Sequence, residues 1–233
     1  MALPQQLLPR HELTLPSNKK VIKFRPFIMK EEKILLIAKE SGKEIEILDA
    51  IHYIVGACTD GAIDTATCPL FDVQYAFLQI RAKSVAEVAD FVIKCGSCEN
   101  KISSSIDITQ IQPEMIEGHS NRINLTSTLG VVMRYPTIKH LDVLANFTSP
   151  DEVYKVIADC IETVFDKDEV YNTADESSEN VLAFIDNLPI SQFNKIQQFF
   201  KTMPVLRHVH KFNCPKCGKE NILTLEGIES FFV

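Results

Sequence analysis

The sequence has no tryptophan and only 8 glycines and 11 prolines among its 233 residues. So few glycines and prolines exclude a collagen-like or low-complexity chain. No run of 18 apolar residues is present, so we expect no membrane-spanning helix. The first residues contain several prolines and lack a basic stretch followed by an apolar block. We therefore expect no secretory signal and a reducing compartment.

Motifs of the common enzyme classes are also missing. The sequence contains no GxGxxG or GxxxxGK[ST] phosphate-binding pattern, no HExxH metalloprotease motif and no GxSxG nucleophile motif. Acidic residues fall mostly on helix faces and in the polar stretch 166–180, where we interpret them as solvated. The sequence therefore predicts no catalytic residues, no small-molecule substrate and no enzymatic activity.

The charge balance is acidic. The net charge is -7, which makes nucleic acid an unlikely partner because it is a polyanion. Hydrophobic residues make up 45% of the chain and charged residues 24%, enough to bury a core. The length suits one elaborated domain or two small ones.

Proline and hydrophobic periodicity divide the chain into five segments. They are an extended N-terminal arm at 1–28, a helical region at 29–86, a β-rich region with the first cysteine pair at 87–135, a helical insert at 136–206, and the second cysteine pair with an apolar tail at 207–233. Within the insert, Ser149-Pro-Asp-Glu152 predicts a capping box, and an apolar stripe continuing to Val164 predicts one helix. The stretch 166–180 is predicted to be a loop.

Four of the seven cysteines form two CxxC pairs, Cys95-Gly-Ser-Cys98 and Cys214-Pro-Lys-Cys217. Two residues between cysteines let both thiolates point at one centre from a tight turn, and four thiolates complete a closed tetrahedral zinc site. In a reducing compartment such pairs favour a metal over a disulfide. We therefore predict one structural Zn²⁺ bound by Cys95, Cys98, Cys214 and Cys217.

The separation of the two pairs is unusual, because residues 99–213 lie between them. Zinc ribbons commonly place their pairs about 15–20 residues apart. Extended segments flank each pair here, so the sequence predicts an α+β fold with a helical N-terminal part and central β-strands. The pairs then form the two knuckles of a split zinc-ribbon-like module, and they flank a long α/β insert.

Other interpretations of the cysteine pattern stay open. His208 or His210 could replace a thiol ligand, because His-x-His on a strand places both rings on one face. A second alternative is a buried, reduced CxxC pair without metal. A redox CxxC pair is less favoured, because a thioredoxin-like site needs a strand-to-helix setting. The remaining cysteines, Cys58, Cys68 and Cys160, are interpreted as structural.

Two stretches near the ends of the chain resemble a known family. The first is Leu15-Pro16-Ser17 followed by Phe24-Arg25-Pro26-Phe27 and Met29-Lys30-Glu31-Glu32-Lys33-Ile34-Leu35-Leu36. The second is Cys214-Pro-Lys-Cys217-Gly-Lys-Glu with Leu225-Glu226-Gly227-Ile228 and Phe231-Phe232. Both are similar to the myophage baseplate protein family typified by the T-even hub subunits, and together they bracket nearly the whole chain.

The resemblance implies a non-enzymatic virion or virion-assembly protein at the central hub of a contractile tail's baseplate. It implies other hub and wedge proteins as partners, and a location in the tail baseplate and, during assembly, in the host cytoplasm. The family contains hub subunits and a hub-assembly factor, and the matched residues do not separate the two. The competing function is a zinc-ribbon nucleic-acid-binding or transcription-associated factor, although such domains usually carry a basic face.

Overall fold

The computed structural model describes residues 7–146 and 149–227. The helices are α1 (Met29–Ser41), α2 (Glu44–Cys58), α3 (Leu70–Ser84), α4 (Ile138–Asn146), α5 (Pro150–Asp159), α6 (Ser178–Asp186) and α7 (Ile190–Thr202). The strands are β1 (His11–Thr14), β2 (Val21–Phe24), β3 (Val88–Lys94), β4 (Lys101–Asp107), β5 (Pro113–Glu114), β6 (Arg122–Asn124), β7 (Gly130–Met133), β8 (Ile161–Phe165), β9 (Val170–Asn172), β10 (Val205–Asn213) and β11 (Glu220–Glu226). Within the described ranges, every helix is too short or too polar to span a bilayer.

The chain forms two compact units, and the second interrupts the first. The first unit combines Met1–Glu114 with Val205–Val233, and the second is Met115–Pro204. Strand β5 pairs antiparallel with the start of β10, with Glu114 opposite Val205. The chain therefore leaves and re-enters the first unit at directly opposed strand positions.

An N-terminal hairpin occupies the described part of the predicted arm. Strands β1 and β2 pair antiparallel, with Leu13 opposite Ile22. Both side chains are buried, whereas Lys23 faces outward on the alternate side, as expected for a half-buried strand. The prediction that this stretch avoids helix is confirmed over residues 7–20. The side chain and backbone N–H of Ser17 both donate to the buried carboxylate of Asp72, which ties the hairpin to α3.

The three N-terminal helices carry most of the core of the first unit. Helix α2 buries one apolar stripe, including Ile51, Ile54 and Val55, and α3 is buried on most of its surface. Helix α1 begins at a buried ion pair, in which Glu31 accepts from Arg25 Nη2 at 2.9 Å and from the Ile28 backbone N–H at 2.9 Å. The predicted helices in this region are confirmed.

The second unit contains an antiparallel sheet in the order β6-β7-β8-β9. Its core combines β7 and β8 with α5, α6 and α7, and it includes Val131, Ile161, Ile185 and Ile196. Helices α6 and α7 lie on either side of Pro189, within the segment predicted to be a helical insert.

Part of the prediction for this unit was wrong. Helix α5 ends at Asp159, and the last residues of the apolar stripe form β8 instead. Ile161 and Val164 are β-branched and lie in the antiparallel pairing with β7, which favours strand over helix. Pro150 does stand in the first helical turn, but the Ser149 side chain accepts no capping hydrogen bond. The stretch predicted as a loop contains β9 and the start of α6.

Candidate metal centre

The first CxxC pair lies in the turn of the β3–β4 hairpin. Strand pairing runs to Lys94 opposite Lys101, which leaves residues 95–100 as the connecting turn. The Cys95 backbone N–H donates to Asn100 O at 2.9 Å, and the Cys95 carbonyl accepts from the Glu99 N–H at 3.0 Å. These bonds fold the turn so that the cysteine side chains can converge.

The second pair repeats this arrangement in the turn of the β10–β11 hairpin. Pairing runs to Asn213 opposite Glu220. The Cys214 backbone N–H donates to Lys219 O at 2.9 Å, and the Gly218 N–H donates to the Cys214 carbonyl at 2.9 Å. The two knuckles thus share one hydrogen-bond pattern, residue for residue.

The four predicted ligand residues come together. The Sγ atoms of Cys95, Cys98, Cys214 and Cys217 all lie within 4.8 Å of one another. Cys95 Sγ is 3.7 Å from Cys217 Sγ, and Cys98 Sγ is 3.6 Å from Cys214 Sγ. A tetrahedron with metal–sulfur distances of about 2.3 Å has edges of about 3.8 Å, so the spacing fits one tetrahedral Zn²⁺.

Backbone amides favour the thiolate form at part of this cluster. The Ser97 N–H donates to Cys95 Sγ at 3.5 Å and is the main cause that lowers the pKa of Cys95 to about 6. The Cys217 N–H likewise lowers the pKa of Cys214. At Cys98 a backbone N–H also lowers the pKa, but burial and the neighbouring sulfurs outweigh it and raise the pKa to about 11. Thiolates are the form that binds metal.

The cluster is closed on its inner side. Cys95 and Cys214 are buried and pack with Ile102 and Phe212, whereas Cys217 is exposed. Asn221 connects the two knuckles, because its Oδ1 accepts from the Gly96 N–H at 3.1 Å and its Nδ2 donates to Lys219 O at 2.9 Å. Sequence analysis missed Asn221, whose only signal is its position four residues after the last cysteine.

The alternative histidine ligands lie outside the cluster. His210 Nε2 is 2.8 Å from Ser104 Oγ, and the His210 ring packs between Phe91 and Phe212. His208 lies on the same face of β10, 6.2 Å from His210 between ring centroids. His210 thus packs the β10–β11 hairpin against the β3–β4 hairpin. Among the described residues, the group that could hold a metal ion is the four cysteines alone, without a histidine.

The remaining cysteines are separate from this cluster. Cys58 and Cys160 are fully buried, and burial raises the pKa of Cys58 to about 11 and that of Cys160 to about 12. Cys68 is half-buried near Asp72, and burial raises its pKa to about 12. All three thiols therefore stay protonated at neutral pH.

Comparison with family models agrees with the resemblance seen in the sequence. The family described as T4 bacteriophage base plate protein matches residues 8–233, which is nearly the whole chain. No curated protein and no solved structure matches at a significant level. The matched range spans the N-terminal hairpin, both knuckles and the insert between them. The chain belongs to the T4 bacteriophage base plate protein family.

Proposed function

We propose that this protein is a non-enzymatic component of the central hub of a contractile tail's baseplate, or a factor that assembles the hub. The observation that carries the proposal is the family match over residues 8–233. The protein would dock to other hub and wedge proteins in the virion tail, and to their precursors in the host cytoplasm. A rigid module that positions docking surfaces requires no catalytic residues.

We further propose that Cys95, Cys98, Cys214 and Cys217 bind one structural Zn²⁺. The spacing of the four sulfurs supports this ligand set, and four thiolates leave no open coordination position for a substrate. The metal would hold the β3–β4 hairpin to the β10–β11 hairpin. Lys94 and Lys101 lie directly opposite each other beside the first knuckle, where they would partly offset the two negative charges of a zinc tetrathiolate.

Elemental analysis of the purified chain tests the metal directly. We expect one zinc per chain in the wild type and in Cys68→Ser, which changes a thiol outside the cluster. Cys95→Ser should bind zinc more weakly because it leaves three thiolates. Absence of zinc from the wild type, or equal zinc loss in both variants, would reject the assignment.

The hub role is tested in the phage. Mass spectrometry of purified virions distinguishes a hub subunit, which stays in the particle, from an assembly factor, which does not. In an infection that lacks this protein, we expect tails to fail at the baseplate, and the wild-type chain to restore them. Normal tails without the protein would contradict both versions.

The nucleic-acid-binding function is the second candidate. The lysine pair at Lys94 and Lys101, together with Lys211, Lys216 and Lys219 around the second knuckle, is the local feature in its favour. The net charge of -7 opposes it. Retention on DNA that falls steeply as salt rises would favour this function, whereas co-purification with tail proteins would favour the baseplate.

A further inference from the structure

Helix α1 exposes an apolar surface that the core does not use. Met29 is 66% exposed, Leu36 49% and Ile37 67%. Lys33 and Glu40 are also exposed and lie on the same side of the helix. We call these five residues the α1 outer face.

Helical geometry separates this face from the packed side. At 3.6 residues per turn, Lys33, Leu36 and Glu40 fall within about 60° of one another around the axis, with Ile37 beside them. The buried residues Leu35 and Ala38 point in the opposite direction. Helix α1 is therefore packed on one side. Its other side exposes the three apolar side chains together with Lys33 and Glu40, and the exposed Lys30 lies at the edge next to Ile37.

The charges on the α1 outer face are arranged symmetrically. Lys33 and Glu40 flank the Leu36–Ile37 pair at equal sequence distance, three residues on each side. They are about 10 Å apart along the helix axis, too far to pair with each other. Among the residues that the structure describes, neither has an ion-pair partner.

We propose that the α1 outer face is a contact surface for a second copy of this chain. A twofold axis between Leu36 and Ile37 makes two α1 helices antiparallel. Each Lys33 then meets Glu40 of the other copy, Leu36 meets Leu36 of the other copy on one side of the face, and Ile37 meets Ile37 on the other side. The face is thus complementary to itself in both charge and apolar character, as a twofold contact requires. This contact goes beyond docking to other baseplate proteins.

The size of the α1 outer face determines how tightly the two copies are expected to bind. One pair of crossing helices buries less than the roughly 1,200 Å² of a standard interface, so the contact belongs to the weak class. Two ion pairs at its rim contribute more to orientation and register than to affinity. We therefore expect a reversible dimer that forms at high protein concentration and dissociates on dilution.

Sedimentation velocity on the full chain, from about 1 to 200 µM, tests the proposal. Wild type should shift from monomer to dimer across this range. Lys33→Glu and Glu40→Lys should each weaken the dimer by about tenfold or more, because each places like charges opposite each other twice. The double variant Lys33→Glu/Glu40→Lys should return to within about threefold of wild type.

Two further variants give the matched comparison. Ile37→Glu should abolish the dimer, whereas Val170→Glu, on β9 and 71% exposed, should leave it unchanged. Melting curves establish that each variant is folded. A monomer at every concentration overturns the proposal, and so does a dimer that the charge changes do not affect. If the α1 outer face becomes protected only when tail proteins are added, its partner is one of those proteins, and the proposal of self-association is overturned.

Discussion

Glu99 and Gly218 hold equivalent positions in the two knuckles, one residue after the last cysteine of each pair. Both have left-handed backbone, with φ of 53° at Glu99 and 70° at Gly218. Glycine adopts this conformation freely, whereas other residues are strained there by about 1–2 kcal/mol. The first knuckle therefore keeps a strained residue at a position where the second has the unstrained one.

The second knuckle should be sensitive to the loss of this glycine. Gly218→Ala should lower the free energy of unfolding by about 1 kcal/mol, because the added methyl group meets no atom and only the backbone is strained. Gly96→Ala is the matched control, since its φ is not positive and its Cβ also meets no atom within 4 Å. Denaturant unfolding of the zinc-loaded variants measures both. Equal losses would show that the left-handed backbone is not the cause.

His52 gives the first unit a sensitivity to acid. Its side chain is buried, Nε2 has no hydrogen-bond partner among the described residues, and burial lowers its pKa to about 4. The neutral ring is therefore the folded form. Its contribution to stability is complete above the unfolded pKa of 6.5 and is lost as the pH falls toward 4.

Replacing this ring should flatten the pH dependence. Relative to pH 7, wild type should lose about 2–3 kcal/mol at pH 4.5 through His52, and His52→Gln should not show this loss. Carboxylate protonation acts on both proteins, so the difference between their unfolding curves across pH isolates the histidine. Parallel curves would contradict the assignment.

Among the elements, strand β7 depends on the absence of a side chain at Gly130. A Cβ there would collide with the Phe165 ring and lie 2.6 Å from Ile123 O. The Arg122 guanidinium lies over the face of the same ring, 3.8 Å from the Phe165 ring centroid. The ring is thus held in place and cannot readily move aside.

Two glycine substitutions should therefore have opposite signs. Gly130→Ala should destabilise the second unit by about 1–3 kcal/mol through overpacking against β6 and β8. Gly56→Ala, inside α2 with no atom within 4 Å of its Cβ, should stabilise the first unit by about 0.8–1 kcal/mol through helix propensity. Chemical denaturation measures both, and a neutral Gly130→Ala would show that the sheet can relax.

Periodicity predicted most elements but not all of their boundaries. The helical region at 29–86 could be predicted because helices such as α2 bury one continuous face, here through Ile51 and Ile54. The stripe after Pro150 continued past the true end of α5, because Ile161 and Val164 satisfy a helical spacing and a strand equally well. Only pairing with β7, which is distant in sequence, decides between them.

The four cysteines that cluster could be predicted because the CxxC pattern is local to each pair. That the pairs converge across the insert was also predicted, from the flanking strands. Contacts between distant residues could not be predicted in this way. Asn221 reaches Gly96 across the two hairpins, and Ser104 reaches His210, through polar side chains that follow no periodic pattern.

At the scale of the whole molecule, the proposed zinc cross-links the two chain segments, Met1–Glu114 and Val205–Val233, that together form the first unit. Structural zinc contributes roughly 10 kcal/mol in small domains, and a domain's net stability is only about 5–15 kcal/mol. Cys214→Ser should therefore loosen the first unit as a whole, with a lower melting temperature, weaker zinc binding and failed complementation of tail assembly. Cys68→Ser should retain all three properties. A Cys214→Ser protein that melts like wild type yet fails to assemble would show that the metal serves recognition instead of stability.

The position of the insert also determines the order in which the two units can fold during synthesis. Cys98 and Cys214 are 116 residues apart, so the first knuckle emerges long before its partner exists. At about 5–20 residues per second, this delay is roughly 6 to 23 s. The second unit, which is continuous in sequence, is complete before the first unit can close. During this interval Cys95 and Cys98 lack their two partner cysteines, so their thiols are open to oxidation or to a competing metal until the second knuckle is made.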